Sequence, residues 1–285
     1  MFPAADHRPA VAPCQKHATV ATFGQGSKKV LAAQSSLQGQ IEQLRHKGYV
    51  VVPRFVPPEG LTKLNEAARA ELAARAEPLE FEADLQYPGA PTSRTAAGGE
   101  TVRRLLDAYA RNPVFAEWGT AAALREWMEA YFGEGTLMSR VHHNCMMTKH
   151  PLYGSLTGWH RDIRYWSFER EDLVSVWLAL GEERSDNGAL WLVPGSHKIP
   201  FGSDRFDESK FFRADHADNA EILRTAVSPR LAAGDAVFFH CNTLHSAGKN
   251  LSDAVKFSLV YTYYGRSNAP RIGTRSASKP AVALG

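Results

Sequence analysis

His160 and Asp162 stand two residues apart in Thr157-Gly-Trp-His-Arg-Asp-Ile-Arg-Tyr-Trp-Ser-Phe168. Side chains alternate along an extended chain, so the imidazole and the carboxylate share one face and Arg161 takes the other. Two histidines and one carboxylate, with coordination positions left open, suit a non-haem Fe(II) oxygenase. A His-x-Asp pair alone is common, so a third ligand must come from another strand. His245 lies in Gly234-Asp-Ala-Val-Phe-Phe-His-Cys-Asn-Thr-Leu-His-Ser-Ala-Gly-Lys-Asn250, after a strand and before a Gly-Lys-Asn turn. His240 is its rival: on one continuous strand the two would face opposite sides, and at most one would serve. His142, His143 and His150 are ligands by residue type, the first two pointing apart if they lie on a strand.

The elements that must position these residues change character along the chain. Residues 1–36, rich in Ala, Pro, Gln, Ser and Gly, are expected to be a flexible N-terminal tail. Leu37, Ile41 and Leu44 recur at helical spacing, and Gly48 reads as the C-cap before a Tyr49–Val52 strand. A second helix opens at Pro57-Pro58 and runs to about Ala76. Residues 78–100 read as a loop, and two further helices are expected over 101–110 and 113–132. From 137 to 264 short β-type runs alternate with turns: 137–147, 158–163, 173–180, 189–193, 235–240 and 255–264. A polar insertion over 198–222 interrupts them. The expected fold is α+β: a helical part over 37–135 packed on a β-sandwich, jelly-roll or barrel core over 137–265, with 266–285 as a C-terminal tail.

Composition narrows the function. Basic and acidic residues nearly balance, 33 against 30, and are interspersed. No basic stripe points to nucleic acid. Cys14, Cys145 and Cys241 form neither a disulfide framework nor a zinc motif. No apolar run approaches the roughly 18 residues of a membrane span. The expectation is a cytoplasmic protein acting on a small molecule, without nucleic acid or membrane partners. Oligomeric state is not legible.

Five motifs occur in order: Trp159–Phe168, Ser175-Val-Trp-Leu-Ala-Leu180, Asn187-Gly-Ala-Leu-Trp-Leu-Val-Pro-Gly-Ser-His-Lys198, Gly234–His240 and His245-Ser-Ala-Gly-Lys-Asn-Leu-Ser-Asp253. Together with Gly48-Tyr-Val-Val-Val-Pro53, they resemble the phytanoyl-CoA dioxygenase family of Fe(II)- and 2-oxoglutarate-dependent oxygenases over roughly residues 37–265. The resemblance implies a double-stranded β-helix with its metal near one open end. By motif position it implies His160, Asp162 and His245 as iron ligands, 2-oxoglutarate and O2 as cosubstrates, and succinate and CO2 as products. A carboxylate at 162 argues for hydroxylation or another oxidation, because related halogenating enzymes carry a small residue there. Asn187, Gly188, the Pro194–His197 turn and Asp235 read as scaffold.

One position departs from the pattern. Eleven residues after the distal histidine the family usually places an arginine for the far carboxylate of 2-oxoglutarate, and here it is Lys256, followed by Ser258. Alternation alone would turn Lys256 and Ser258 to water, opposite an apolar face of Val255, Phe257, Leu259 and Tyr261. The resemblance turns them toward the cosubstrate. A lysine offers a point charge rather than a planar fork, with Arg140 and Lys149 as fallback partners. Substrate is expected over 78–100 and 198–222, with Arg94, Arg103, Arg161 and Arg164 as contacts for an acidic one and Tyr165, Trp166 and Trp177 as walls. Two other readings fit the residues: a cupin-like metal enzyme that uses no 2-oxoglutarate, and a non-catalytic metal-binding sensor of the same fold.

Overall fold

The computed structural model describes residues 36–285. The tail expected over 1–36 lies outside the described residues apart from Ser36. Helix α1 (Leu37–Lys47) is capped by the Ser36 side chain, buries Ile41 and Leu44, and ends at Gly48, whose φ of 82° is in the left-handed region. Strand β1 (Tyr49–Val52) follows, and then α2 (Pro58–Ala74), which starts on a proline at its first turn and buries Leu64 and Ala68. Next come β2 (Leu79–Phe81), α3 (Glu82–Leu85), β3 (Val102–Leu106), α4 (Ala108–Arg111), α5 (Pro113–Gly119) and α6 (Ala122–Phe132). The β-rich half holds β4 (Thr136–Met138), β5 (Cys145–Lys149), β6 (Thr157–His160), β7 (Val174–Ala179) and β8 (Leu190–Leu192). After α7 (Ala217–Leu223) come β9 (Ala236–His240), β10 (His245–Ala247), β11 (Lys256–Gly265) and β12 (Val282–Ala283).

The strands form two antiparallel sheets. The large one runs β1-β9-β7-β11-β5-β3-β2, with β4 on β11 and β12 on β4; the small one runs β6-β10-β8. Trp177, Val237, Phe239 and Val260 of the large sheet pack with Leu190 and Leu192 of the small one, closing a jelly roll. The other face of the large sheet, including Phe257, Leu259, Tyr261 and Tyr263, packs under the helices in the main core. Both faces of β11 are therefore buried. The apolar alternation marks the helix-covered face, and the polar side, with Lys256 and Ser258, points between the sheets.

Four expectations are corrected. The helix expected over 101–110 is strand β3 followed by the short α4. Val102, Leu105 and Leu106 mimic a helical period, but Arg104 and Leu106 pair in register with Met147 and Cys145 of β5, so sheet pairing overrides local preference. The helix expected over 113–132 is broken between α5 and α6. There the Gly119 carbonyl accepts the Tyr263 hydroxyl at 2.8 Å, and a Cβ at Gly119 would sit 2.9 Å from the Tyr261 ring. The strand expected over 137–147 is interrupted at residues 139–144, with His142 at φ 60°. Finally, residues 266–285 are no free tail: β12 pairs with β4 and Leu284 is buried in the main core.

Candidate metal centre

β6 delivers His160 at its last residue, and the chain then enters a 3-10 turn beginning at Asp162. Arg161 between them stays extended, so both ligands project to one side. β10 opens on His245, which lies directly across from His160 in the antiparallel register. Cross-strand neighbours place their side chains side by side, and the two imidazole rings stand 4.2 Å apart. Donor atoms of His160, Asp162 and His245 all lie within 4.8 Å of one another, and all three residues are buried. Among the described residues no other group of three His, Cys, Asp or Glu has this geometry.

Hydrogen bonding fixes the tautomers. Nδ1 of His160 is 2.8 Å from the Gly158 carbonyl, and Nδ1 of His245 is 3.0 Å from the Thr243 carbonyl. A carbonyl can only accept, so each Nδ1 carries a proton, and each Nε2 is the nitrogen left to face a metal. Those Nε2 atoms lie 3.7 Å and 3.3 Å from Asp162 Oδ1, a buried oxygen with no hydrogen-bond partner. Three donors facing one another in the interior fit a divalent cation, since a buried polar group ordinarily finds a partner. Burial, with His245 beside it, holds His160 well below the usual imidazole range. Burial alone would raise Asp162, but His143 and His245 hold its carboxyl well below the usual range. Burial works against charge on His245 too, yet Asp162 holds it above its ordinary value. A metal would therefore take the place of a proton at His245 Nε2.

Asp162 has partners that sequence reasoning missed. Ser175 of β7 donates to its Oδ2 at 3.1 Å, and His143 Nδ1 lies 3.2 Å from the same oxygen. Ser175 falls in a strand motif with no hint of its partner, and His143 sits on the irregular 139–144 segment, where alternation gives no direction.

Deeper between the sheets a small cavity at the ligands, of about 40 Å³, adjoins one of about 30 Å³ that reaches Lys256. Arg103, Arg104, Met147, Thr157, Trp177 and Ala247 wall both. Lys256 is buried, and its ammonium donates to Ser258 Oγ at 2.9 Å and lies 3.2 Å from Glu183 Oε2. Glu183 is fully buried and accepts from Ser258 Oγ at 2.6 Å and from Trp177 Nε1 at 2.9 Å. The lysine is thus already paired inside the protein. Lys149 lines the same cavity, donates to the Ser155 carbonyl at 2.6 Å, and is held well below the usual lysine range by burial, with Arg103 adding to it.

The remaining candidates separate cleanly. His240 Nδ1 accepts from Asn242 N at 3.1 Å, and His197 Nε2 lies 3.2 Å from the Arg45 carbonyl; both stand outside the metal group. Asp235 accepts from Arg54 N and Ala232 N, as turn chemistry demands. Arg94 is paired with Asp84 over the Phe81 ring, away from the metal centre. Arg103 is buried, bonded to Glu82, Ser155 and Thr157. Arg161 and Arg164 line an open cavity of about 580 Å³ with Phe201 and Phe206 of the insertion.

A family model described as phytanoyl-CoA dioxygenase matches residues 44–258, a span that includes His160, Asp162, His245, Lys256 and Ser258. An ectoine dioxygenase of Halomonas elongata is 25% identical over 245 residues, covering 80% of this chain and 70% of the relative. The human peroxisomal phytanoyl-CoA dioxygenase is 22% identical over 292 residues, covering 96% and 83%. Among solved structures, EctD from S. alaskensis in its apoform superposes with a TM-score of 0.68 at 22% identity, covering 85% of this chain and 81% of that one. The epimerase SnoN, crystallised with Fe3+, alpha ketoglutarate and nogalamycin RO, gives 0.67 at 21% identity, covering 82% and 86%. At these identities the structural likeness speaks for the fold, a double-stranded β-helix.

Proposed function

Given that the chain belongs to the phytanoyl-CoA dioxygenase family and is an Fe(II)- and 2-oxoglutarate-dependent oxygenase, we propose that His160, Asp162 and His245 hold the iron. We propose also that Lys256 and Ser258 receive the far carboxylate of 2-oxoglutarate, and that the reaction is oxidation, foremost hydroxylation, of a C–H bond in a small molecule. The observation that carries this reading is Asp162 Oδ1, buried without a hydrogen-bond partner, facing the Nε2 atoms of His160 and His245.

Bound together, the iron, 2-oxoglutarate and O2 supply the oxidant for the C–H bond, with succinate and CO2 released; that chemistry is the cofactor's. The chain's own work is positioning. Gly158 and Thr243 carbonyls lock the ligand rings, and Ser175 holds Asp162 Oδ2 so that Oδ1 turns to the centre. Trp177, Leu190, Phe239 and Val260 keep the inner wall apolar and exclude water. Lys256 offers one positive charge at the far end, and an incoming carboxylate must share it with Glu183.

The test is an anaerobic Fe(II) titration followed by 2-oxoglutarate, with wild type beside Lys256→Ala. The expected result is the weak visible charge-transfer band of an iron–keto acid chelate, reduced in the variant. Iron binding without that band in excess 2-oxoglutarate overturns the cosubstrate assignment. An undiminished band in the variant removes Lys256 from it.

A further inference from the structure

Beside the candidate metal centre lies another cavity, of about 400 Å³, ten times the space at His160, Asp162 and His245 themselves. Its volume is that of a small-molecule pocket. His143 and Arg104 wall both spaces, and His143 Nδ1 is 3.2 Å from Asp162, so a molecule filling the larger cavity lies against the metal centre. Leu85, Leu106 and Val141 supply apolar wall.

The charges around this cavity do not cancel. Four cations, Arg104, Arg140, Arg275 and Lys279, line it with two carboxylates, Glu80 and Asp107. Glu80 is taken by Arg104 at 3.3 Å and also by Arg103 at 3.6 Å, and Asp107 is taken by Lys279 at 2.9 Å. Arg140 and Arg275 have no carboxylate within ion-pair distance among the described residues. Arg140 Nε is buried without a hydrogen-bond partner, and so is His142 Nε2 on the same wall. The field registers on His142, which burial and then Arg275 push down to about 3.

We propose that this cavity is the substrate pocket, and that it takes a small molecule with an apolar body and an anionic head (carboxylate, sulfonate or phosphate) held by Arg140 and Arg275. The assignment rests on the oxygenase reading and adds the substrate class. It gives the C-terminal segment a recognition role, because Arg275 and Lys279 come from residues that lie beyond the family match. Guanidinium groups hold such heads through paired N–H donors.

The test uses benzenesulfonate, which is anionic, and benzenesulfonamide, which is neutral near pH 7, as probes in calorimetric titrations of the full chain. Each is run on metal-free protein and again with Zn(II) and saturating 2-oxoglutarate, so that the inner slot is filled. Wild type is expected to bind the sulfonate at least tenfold more tightly than the sulfonamide in both states. Arg140→Gln and Arg275→Gln should each reduce that ratio, the double variant should bring it near one, and Arg140→Lys should keep part of it. Arg275 is exposed, so its variant reports even where Arg140→Gln fails to fold. No sulfonate binding, no preference in wild type, or a preference that survives in Arg275→Gln and in Arg140→Gln overturns the proposal. A sulfonate preference without an iron–keto acid band would instead sink the oxygenase reading and leave the anion site standing.

Discussion

At one end of the space between the sheets, donor atoms of His160, Asp162 and His245 gather within 4.8 Å of one another, and Asp162 Oδ1 has no hydrogen-bond partner. At the Lys256 end the ammonium already meets Ser258 and Glu183, and Glu183 is further held by Trp177. The first arrangement offers donors to a cation. The second is complete without a carboxylate. On the proposed assignment, an oxo acid arriving at Lys256 would have to displace contacts the protein makes with itself, whereas a cation at Asp162 Oδ1 would not.

The largest effect should come from Asp162→Ala, which removes the central donor. Fe(II) affinity should fall by more than the roughly 100-fold that marks loss of an outer partner, read by anaerobic titration; retained affinity would break the contrast at its first half. Lys256→Met leaves Glu183 buried without its cation and should cost about 3–5 kcal/mol in urea unfolding. Adding Glu183→Leu should return most of that stability while 2-oxoglutarate affinity stays lost. A double variant no more stable than the single one means the ion pair does not hold that wall. Glu183→Gln keeps the shape and removes the competitor, so 2-oxoglutarate should bind roughly tenfold more tightly, the equivalent of one charge-assisted contact of about 1.5 kcal/mol. Weaker binding would make Glu183 an organiser of Lys256 rather than its rival.

A histidine belonging to neither end supplies the smallest effect and a control. Burial, with His197 beside it, lowers His240 from 6.5 to about 4. The unfolded chain then binds more protons between those values, so stability falls as pH drops from about 6.5 toward 4. His240→Gln should flatten that part of the urea-midpoint profile and leave iron affinity unchanged at pH 7. An unchanged profile would remove His240 as a source of acid sensitivity.

The sequence made the three proposed metal ligands, which the structure brings together, readable because His-x-Asp and a strand-end histidine are local patterns, and because ordered motifs tie them to a family. It misdirected the reading of β3, where Val102, Leu105 and Leu106 keep helical spacing but pair with β5. Glu183 was invisible: nothing in Glu182-Glu183 says which carboxylate turns inward, and only the Trp177 and Ser258 contacts decide it. Arg140 and Arg275 were separated for the same reason, being joined by a cavity that exists only once the C-terminal segment has packed. Patterns of neighbours survive in sequence; partners across the core do not.

The glycine that ends α1 also has a kinetic consequence. Its carbonyl accepts from His240 N at 2.9 Å and from Thr243 Oγ1 at 2.7 Å, a contact spanning 195 residues. Thr243 in turn orients the His245 ring. Contacts of such separation close slowly, and a ligand set acquires its affinity only when assembled. If His160, Asp162 and His245 hold the metal as proposed, its capture during refolding would time the arrival of the first described helix rather than the local ordering of β10.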